Sequence, residues 1–215
     1  MVHIADAMST IYMVRSMPNR PGAVIPAPDA DLCLAFANTR YWRGTPAPTD
    51  ELKELSDLLR WAAKAERLPP GLTQRLAPAV SLLDGALAIR ETIHRCFAAT
   101  AFGLAPADAD LAALNAALAS APARQCVRPD GWDVGWPEPS AAALLAPVLW
   151  SAADLLVGGQ LARVRQCGNP DCGWLFLDNS KGGNRRWCSM SACGNRAKAH
   201  RHYLRQKGAP PASSA

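Results

Sequence analysis

The stretch CGNPDCGWLFLDNSKGGNRRWCSMSACGNR, residues 167–196, decides how the chain is read. Its four cysteines, Cys167, Cys172, Cys188 and Cys193, form two pairs, with four residues inside each pair and fifteen between the pairs. Two short loops of that length can each turn a pair of sulfurs onto one ion, and four deprotonated thiolates in a tetrahedron are what structural zinc takes. Gly168, Asn169, Pro170 and Gly173 supply turn chemistry around the first pair. Two disulfides also fit the count. However, the other three cysteines, Cys33, Cys96 and Cys126, are scattered singly, which is the usage of a reduced, cytoplasmic compartment. A thioredoxin-type redox pair needs two intervening residues and not four. An iron–sulfur cluster or another thiophilic metal stays open on spacing alone; zinc is the expectation because two-turn spacing is its usual structural pattern.

Charge gives this segment a purpose. Residues 160–207 hold ten Lys and Arg against two acids, a net +8, while the rest of the 215-residue chain has 13 basic and 16 acidic residues, a net −3. A split of that size points to a polyanionic partner, most simply the phosphates of DNA, with RNA offering the same chemistry. Residues 194–206 read as a helix on which Lys198, Arg201, His202 and Arg205 share an arc of about a third of the circumference. Ala197 and Leu204 lie opposite, placed to lean on the metal core. Lys and Arg in a last helical turn also complement the helix dipole, but that does not account for Arg185, Arg186 and Arg196. The candidate nucleic-acid contacts are therefore Arg185, Arg186, Asn195, Arg196, Lys198, Arg201, His202 and Arg205, with Asn195 or Arg196 reaching a base edge or bracing the metal loops.

The run Cys193-Gly194-Asn195-Arg196, with Trp187-Cys188-Ser189 before it and Cys167/Cys172 upstream, resembles the CGNR zinc finger. In proteins of that kind the finger follows an α/β domain called ABATE, and DLCLAFANTR at residues 31–40 is similar to the opening of that domain. The resemblance implies a bacterial, stress-induced transcription regulator that binds DNA. Its N-terminal domain is expected to sense a small-molecule effector or to mediate homodimerisation. The expected organisation is a flexible tail at 1–26, an ABATE-like domain at 27–158, the finger at 159–208 and a disordered tail at 209–215.

The rest of the chain fits an α+β protein: a mostly helical N-terminal domain with a small antiparallel sheet, then a finger built of a β-hairpin and a helix. The leading residues mix acids and bases where a secretory leader needs an apolar block, and no apolar run is long enough to span a bilayer. Leu32, Leu34 and Phe36 alternate with Cys33, Ala35 and Ala37, which reads as a strand. The polar cluster after it makes Asn38, Arg40 and Arg43 candidates for a small-molecule pocket, against the plainer reading that they serve the turn. Thr49 reads as the N-cap of a helix over 49–68, stopped by Pro69-Pro70-Gly71. Further helices are expected over 73–102, with Ile89, Ile93, Cys96 and Phe97 as its apolar stripe and a break or start near Pro78; over 107–118; and over 140–157, kinked at Pro147 and stopped at Gly158-Gly159. Residues 124–128 and 132–136 read as a hairpin joining the strand at 32–36. Within the finger, 174–177 reads as a strand returning through Arg185-Arg186-Trp187, and Ser189 caps the turn carrying Cys193.

Glu91 and His94 lie beside an apolar stripe and are read as structural. The chain carries no HExxH, phosphate loop, nucleophile elbow or close carboxylate pair, and four thiolates leave zinc no open position, so no enzyme is expected. The alternative is a small-molecule-binding protein or enzyme with its site near residues 38–43 and the finger as a structural or protein-binding appendage. A module of under about fifty residues buries too little to fold alone, so metal binding is expected to be coupled to its folding.

Overall fold

The computed structural model describes residues 22–64, 80–135 and 140–208. Its elements in order are β1 (Gly22–Ile25), α1 (Leu32–Ala37), β2 (Arg40–Tyr41), β3 (Thr49–Asp50), α2 (Leu55–Lys64), α3 (Val80–Ala101) and α4 (Asp108–Ser120). There follow β4 (Arg124–Arg128), β5 (Gly131–Gly135), α5 (Ala141–Leu144), α6 (Ala146–Val157), β6 (Val164–Gln166), β7 (Leu175–Leu177) and α7 (Asn195–Gly208). The strands make three small antiparallel sheets, β1-β5-β4, β2-β3 and β6-β7. The α+β class is as expected.

α3 is the axis of the core. Ile93, Cys96 and Phe97 are buried as their spacing requires, Leu82 and Ala86 extend the stripe, and Ile89 is half-buried. Against it pack α1, α2, α4, α5 and β6. The expected helix over 140–157 is two: Ser140 caps α5 by accepting from the Ala143 N–H at 3.1 Å, and the chain breaks at Leu145, with φ −96° and ψ 15°. Pro147 lies in the first turn of α6, where its missing N–H costs nothing, so it starts a helix where a kink was expected. α6 ends at Val157, before Gly158, as expected.

Three expectations are corrected. Residues 32–37 form a helix and not a strand: Leu32, Cys33, Leu34, Phe36 and Ala37 are all buried, so a short apolar run closed in on nearly every side carries no period by which to tell the two apart. With that strand gone, the hairpin β4–β5 pairs instead with β1, which lies inside the stretch expected as a tail. Thr49 is not a cap; it pairs with Tyr41 across β2–β3. The turn before α2 is closed by Asp50, which accepts from Leu52 N–H at 2.9 Å, and by Asp57, which accepts from the N–H groups of Lys53 and Glu54. The expected stop at Pro69-Gly71 and the break near Pro78 lie outside the described residues.

The largest fully buried side chain among the described residues is polar. Arg90 is 2% exposed and donates to both Asp50 carboxylate oxygens at 2.7 and 2.6 Å, to Thr39 Oγ1 at 3.3 Å and to Glu91 at 3.0 Å. Glu91 in turn accepts from Arg43. These pairs tie the loop that follows α1 to α3, and they hold the carboxyls of Asp50 and Glu91 below the usual range in spite of their burial. Replacing Arg90 with Met strands a carboxylate against the core and is expected to cost about 3 kcal/mol. Arg60→Ala, which removes only an exposed pair with Asp57, should cost under about 0.5 kcal/mol. Urea unfolding of both variants checks the contrast.

Candidate metal centre and nucleic-acid interface

The four expected ligands come together. Their sulfurs all lie within 4.8 Å of one another; Cys167, Cys172 and Cys193 are buried and Cys188 is half-buried. Cys172 Sγ and Cys188 Sγ stand 3.8 Å apart, and ligands about 2.3 Å from a tetrahedral zinc are separated by about 3.8 Å. A cluster this tight fits one ion and leaves no room for the inorganic core of an iron–sulfur centre. Backbone and amide groups brace the sulfurs: Cys188 N–H points at Cys167 Sγ at 3.5 Å, and Asn169 Nδ2 at Cys193 Sγ at 3.6 Å. Burial pushes the Cys172 thiol far up and that of Cys188 to about 12; Cys193, although burial opposes its charge too, is held below the ordinary range by Asn169 and the adjacent sulfurs. Thiolates gathered this way need a cation between them, and zinc suits the donor set.

Each loop of the centre is locally determined. In the first, Cys172 N–H donates to Asn169 O at 3.0 Å, Asp171 N–H to Asn169 Oδ1 at 3.2 Å, and Cys167 N–H to Trp174 O at 2.8 Å. In the second, Ser189 Oγ accepts from Ala192 N–H at 3.0 Å, as expected, and a widened helical turn over Met190–Gly194 delivers Cys193. The return expected through Arg185-Arg186-Trp187 is not a strand. β7 pairs with β6, because residues 164–166 carry a buried Val164 that the core demands, and Arg186 contributes only its carbonyl, to Gly168 N–H at 2.8 Å. The connecting turn is organised by Asp178, 1% exposed, whose carboxylate accepts from Ser180 N–H, Ser180 Oγ and Arg185 N–H.

The candidate pocket residues are committed elsewhere. Asn38 donates to Leu175 O at 2.8 Å and accepts from Leu175 N–H at 2.9 Å, stitching α1 to β7. Arg43 donates to Arg40 O, to Ala37 O and to Glu91, at 2.6 Å for the shortest contact. Arg40, about two-fifths exposed, faces Glu91 at 3.7 Å. These bonds favour the plainer reading of Asn38 and Arg43 as residues that serve the fold: Asn38, and Arg43 through its N–H on Cys172 O at 3.4 Å, are joints between the N-terminal domain and the metal segment. His94 makes a third, with Nε2 3.0 Å from Gly173 O, in line with its reading as structural. Burial, helped by the Arg43 charge, lowers His94 to about 4, so it is neutral and its Nε2 carries the proton donated to that carbonyl.

The candidate cations divide. Lys198, Arg201, His202 and Arg205 are exposed along one face of α7, where with Ala199 they line a shallow groove. Arg185 lies over Phe176 with its guanidinium carbon 4.3 Å from the ring centre and donates to the carbonyls of Trp187 and Cys188. Arg186 lies over Trp187 at 5.6 Å and Arg196 over Trp42 at 4.5 Å. Asn195 is exposed, its backbone N–H closing the turn onto Met190 and Ala192. Leu204 does not lean on the metal core; it is 53% exposed, because α7 projects outward beyond a half-buried Ala197.

Residues 30–159 match the ABATE family, described as "Putative stress-induced transcription regulator". The chain belongs to the ABATE family. Residues 163–206 match the CGNR zinc finger, so this ABATE protein has the architecture its sequence resembles. No curated protein matches the chain. Among the described residues, no helix is long and apolar enough to cross a membrane.

Two predictions follow from the joints. Chelation should deprotect amides in 168–173 and 188–194 while those of β6, β7 and α3 stay protected, as read by hydrogen exchange, because the strand pair is held by the core and not by the ion. His94 binds its proton more weakly folded than unfolded, so the stability it contributes is present above pH 6.5 and is lost as pH falls towards 4, up to about 3 kcal/mol. The stability difference between wild type and His94→Gln, followed by urea unfolding, should be flat above pH 7 and shrink across that window.

Proposed function

We propose that this ABATE protein is a DNA-binding transcription regulator in which a structural zinc centre presents α7 to the phosphate backbone. The observation that carries the reading is the state of the charges. The ion pairs formed between two described residues all lie between residues 40 and 154. α7 contains no acid at all, and its Lys198, Arg201 and Arg205 meet no carboxylate among the described residues. Like charges three and four apart on an exposed helix destabilise it slightly, a cost that a polyanion removes. The finger's family supports a nucleic-acid partner, and the tightness of the four-sulfur cluster supports a structural and not a catalytic ion. We read the chain as non-catalytic on the same ground, and assign the N-terminal domain the task of holding the finger in place.

Binding to random duplex DNA should weaken steeply with salt, with a slope in log–log form of about −3 to −4 if Lys198, Arg201, Arg205 and the exposed Lys181 each meet a phosphate. Arg201→Ala combined with Arg205→Ala should reduce that slope by about 2 and the affinity at least tenfold at 100 mM salt. Fluorescence anisotropy across a salt series measures both. Undiminished binding by the double variant refutes the reading, and preference for single strands would redirect it to RNA.

A further inference from the structure

The loop between β2 and β3 holds a residue that neither the metal ligands nor the cationic face explains. Trp42 has φ 57°, the one non-glycine with positive φ among the described residues. A bulky side chain adopts that conformation only where its surroundings over-determine it. Here they do. The Trp42 carbonyl accepts from Thr45 N–H at 3.0 Å and Thr45 Oγ1 at 2.7 Å. Arg43 N–H donates to Cys172 O at 3.4 Å and Gly44 N–H to Asp171 O at 3.2 Å. The backbone of Gly44 is so close to the first metal loop that a Cβ there would sit 2.1 Å from Pro170 O.

The outcome of this constraint is the position of the indole. Trp42 packs against the cysteine cluster, and its ring lies under the guanidinium of Arg196 at 4.5 Å. Arg196 is the second residue of α7, and the side chains of α7 beyond Ala197 are exposed. Among the described residues the base of the helix is held by the covalent turn through Cys193, about which a rod can still swing, by the half-buried Ala197 and by this stack. A planar, delocalised guanidinium suits an aromatic face, and an ammonium does not replace it well.

We propose that Trp42 and Arg196 are positioning residues: their stack sets the direction in which α7 leaves the metal centre, so the N-terminal domain aims the cationic face and Arg196 itself does not contact the polyanion. The functional half rests on the nucleic-acid reading; the stack does not. Two measurements on the zinc-loaded full chain separate them. In the first, residual dipolar couplings of the backbone amides of residues 199–203, which report the direction of α7 against α3, are followed in Trp42→Leu, Trp42→Phe, Arg196→Met and the Trp42→Leu/Arg196→Met double variant. In wild type the couplings should fit the alignment of α3; in Trp42→Leu and in Arg196→Met they should fall at least twofold, no further in the double variant, and much less in Trp42→Phe, which keeps a ring. Unchanged couplings in Arg196→Met overturn the proposal, and that variant decides if Trp42→Leu loses zinc. In the second, the salt slope on random duplex DNA should be the same in Arg196→Met as in wild type, whereas Arg201→Ala lowers it by about 1. A drop of about 1 in Arg196→Met would make Arg196 a phosphate contact and overturn the assignment. If wild type binds no duplex, the regulator reading fails while the dipolar couplings still decide the stack.

Discussion

Four thiols converging within 4.8 Å of one another are stable as thiolates only around a cation, and that electrostatic requirement governs the C-terminal quarter of the molecule. Burial, with the neighbouring sulfurs, drives Cys172 and Cys188 towards the protonated form, and a cation among the four sulfurs offsets that cost. Both short loops bend to serve this convergence. Their turns, the Asn169 bonds and the Ser189 cap, fix backbone so that sulfurs meet, and α7 starts where the second loop ends.

The ion is not the whole account of the finger's stability. Val164, Leu175 and Leu177 belong to the same core as α1, α3 and α6, so β6–β7 is folded by the burial that folds the N-terminal domain. The joints between the two are polar and directional: the Asn38 amide on the backbone of Leu175, Arg43 and Gly44 on the carbonyls of Cys172 and Asp171, His94 on that of Gly173. Buried backbone groups without partners are costly, so each joint fixes register as well as distance. Behind them the Arg90–Asp50 and Arg43–Glu91 pairs make the gripping loop itself rigid. Two families of sequence thus share one folded body.

The metal centre was legible because ligand chemistry leaves a local mark: four cysteines at fixed offsets, with turn formers between them. The long helices α3 and α4 were legible for a similar reason, since a period of 3.6 persists over several turns. What escaped was set by partners distant in sequence. α1 alternates like a strand because large and small residues happen to alternate, and only its enclosure reveals the helix. β1 and β6 are short segments whose pairing with β5 and β7 no local pattern announces. The polar cluster at Asn38–Arg43 resembled a pocket in composition, since hydrogen-bonding side chains look alike whether they await a ligand or a neighbouring backbone. Trp42 gave no signal at all, because neither its φ of 57° nor its stack on Arg196 is written in local sequence.

The cations show why counting charge overstates an interface. Arg185, Arg186 and Arg196 contribute to the +8 of the segment, yet each lies over an aromatic ring, and Arg185 also donates to two carbonyls. A guanidinium used in this way has a flat face and donors already committed, and pulling it away to meet a phosphate would forfeit packing as well as hydrogen bonds. Lys198, Arg201 and Arg205 have given up nothing of the kind: their side chains are exposed on a helix without acids. Three arginines therefore shape the module, and the cations that the fold has not already used are those of the α7 face. In the proposed regulator the positive field of the whole segment would steer a polyanion from a distance, and the contacts fixing its position would fall to that face.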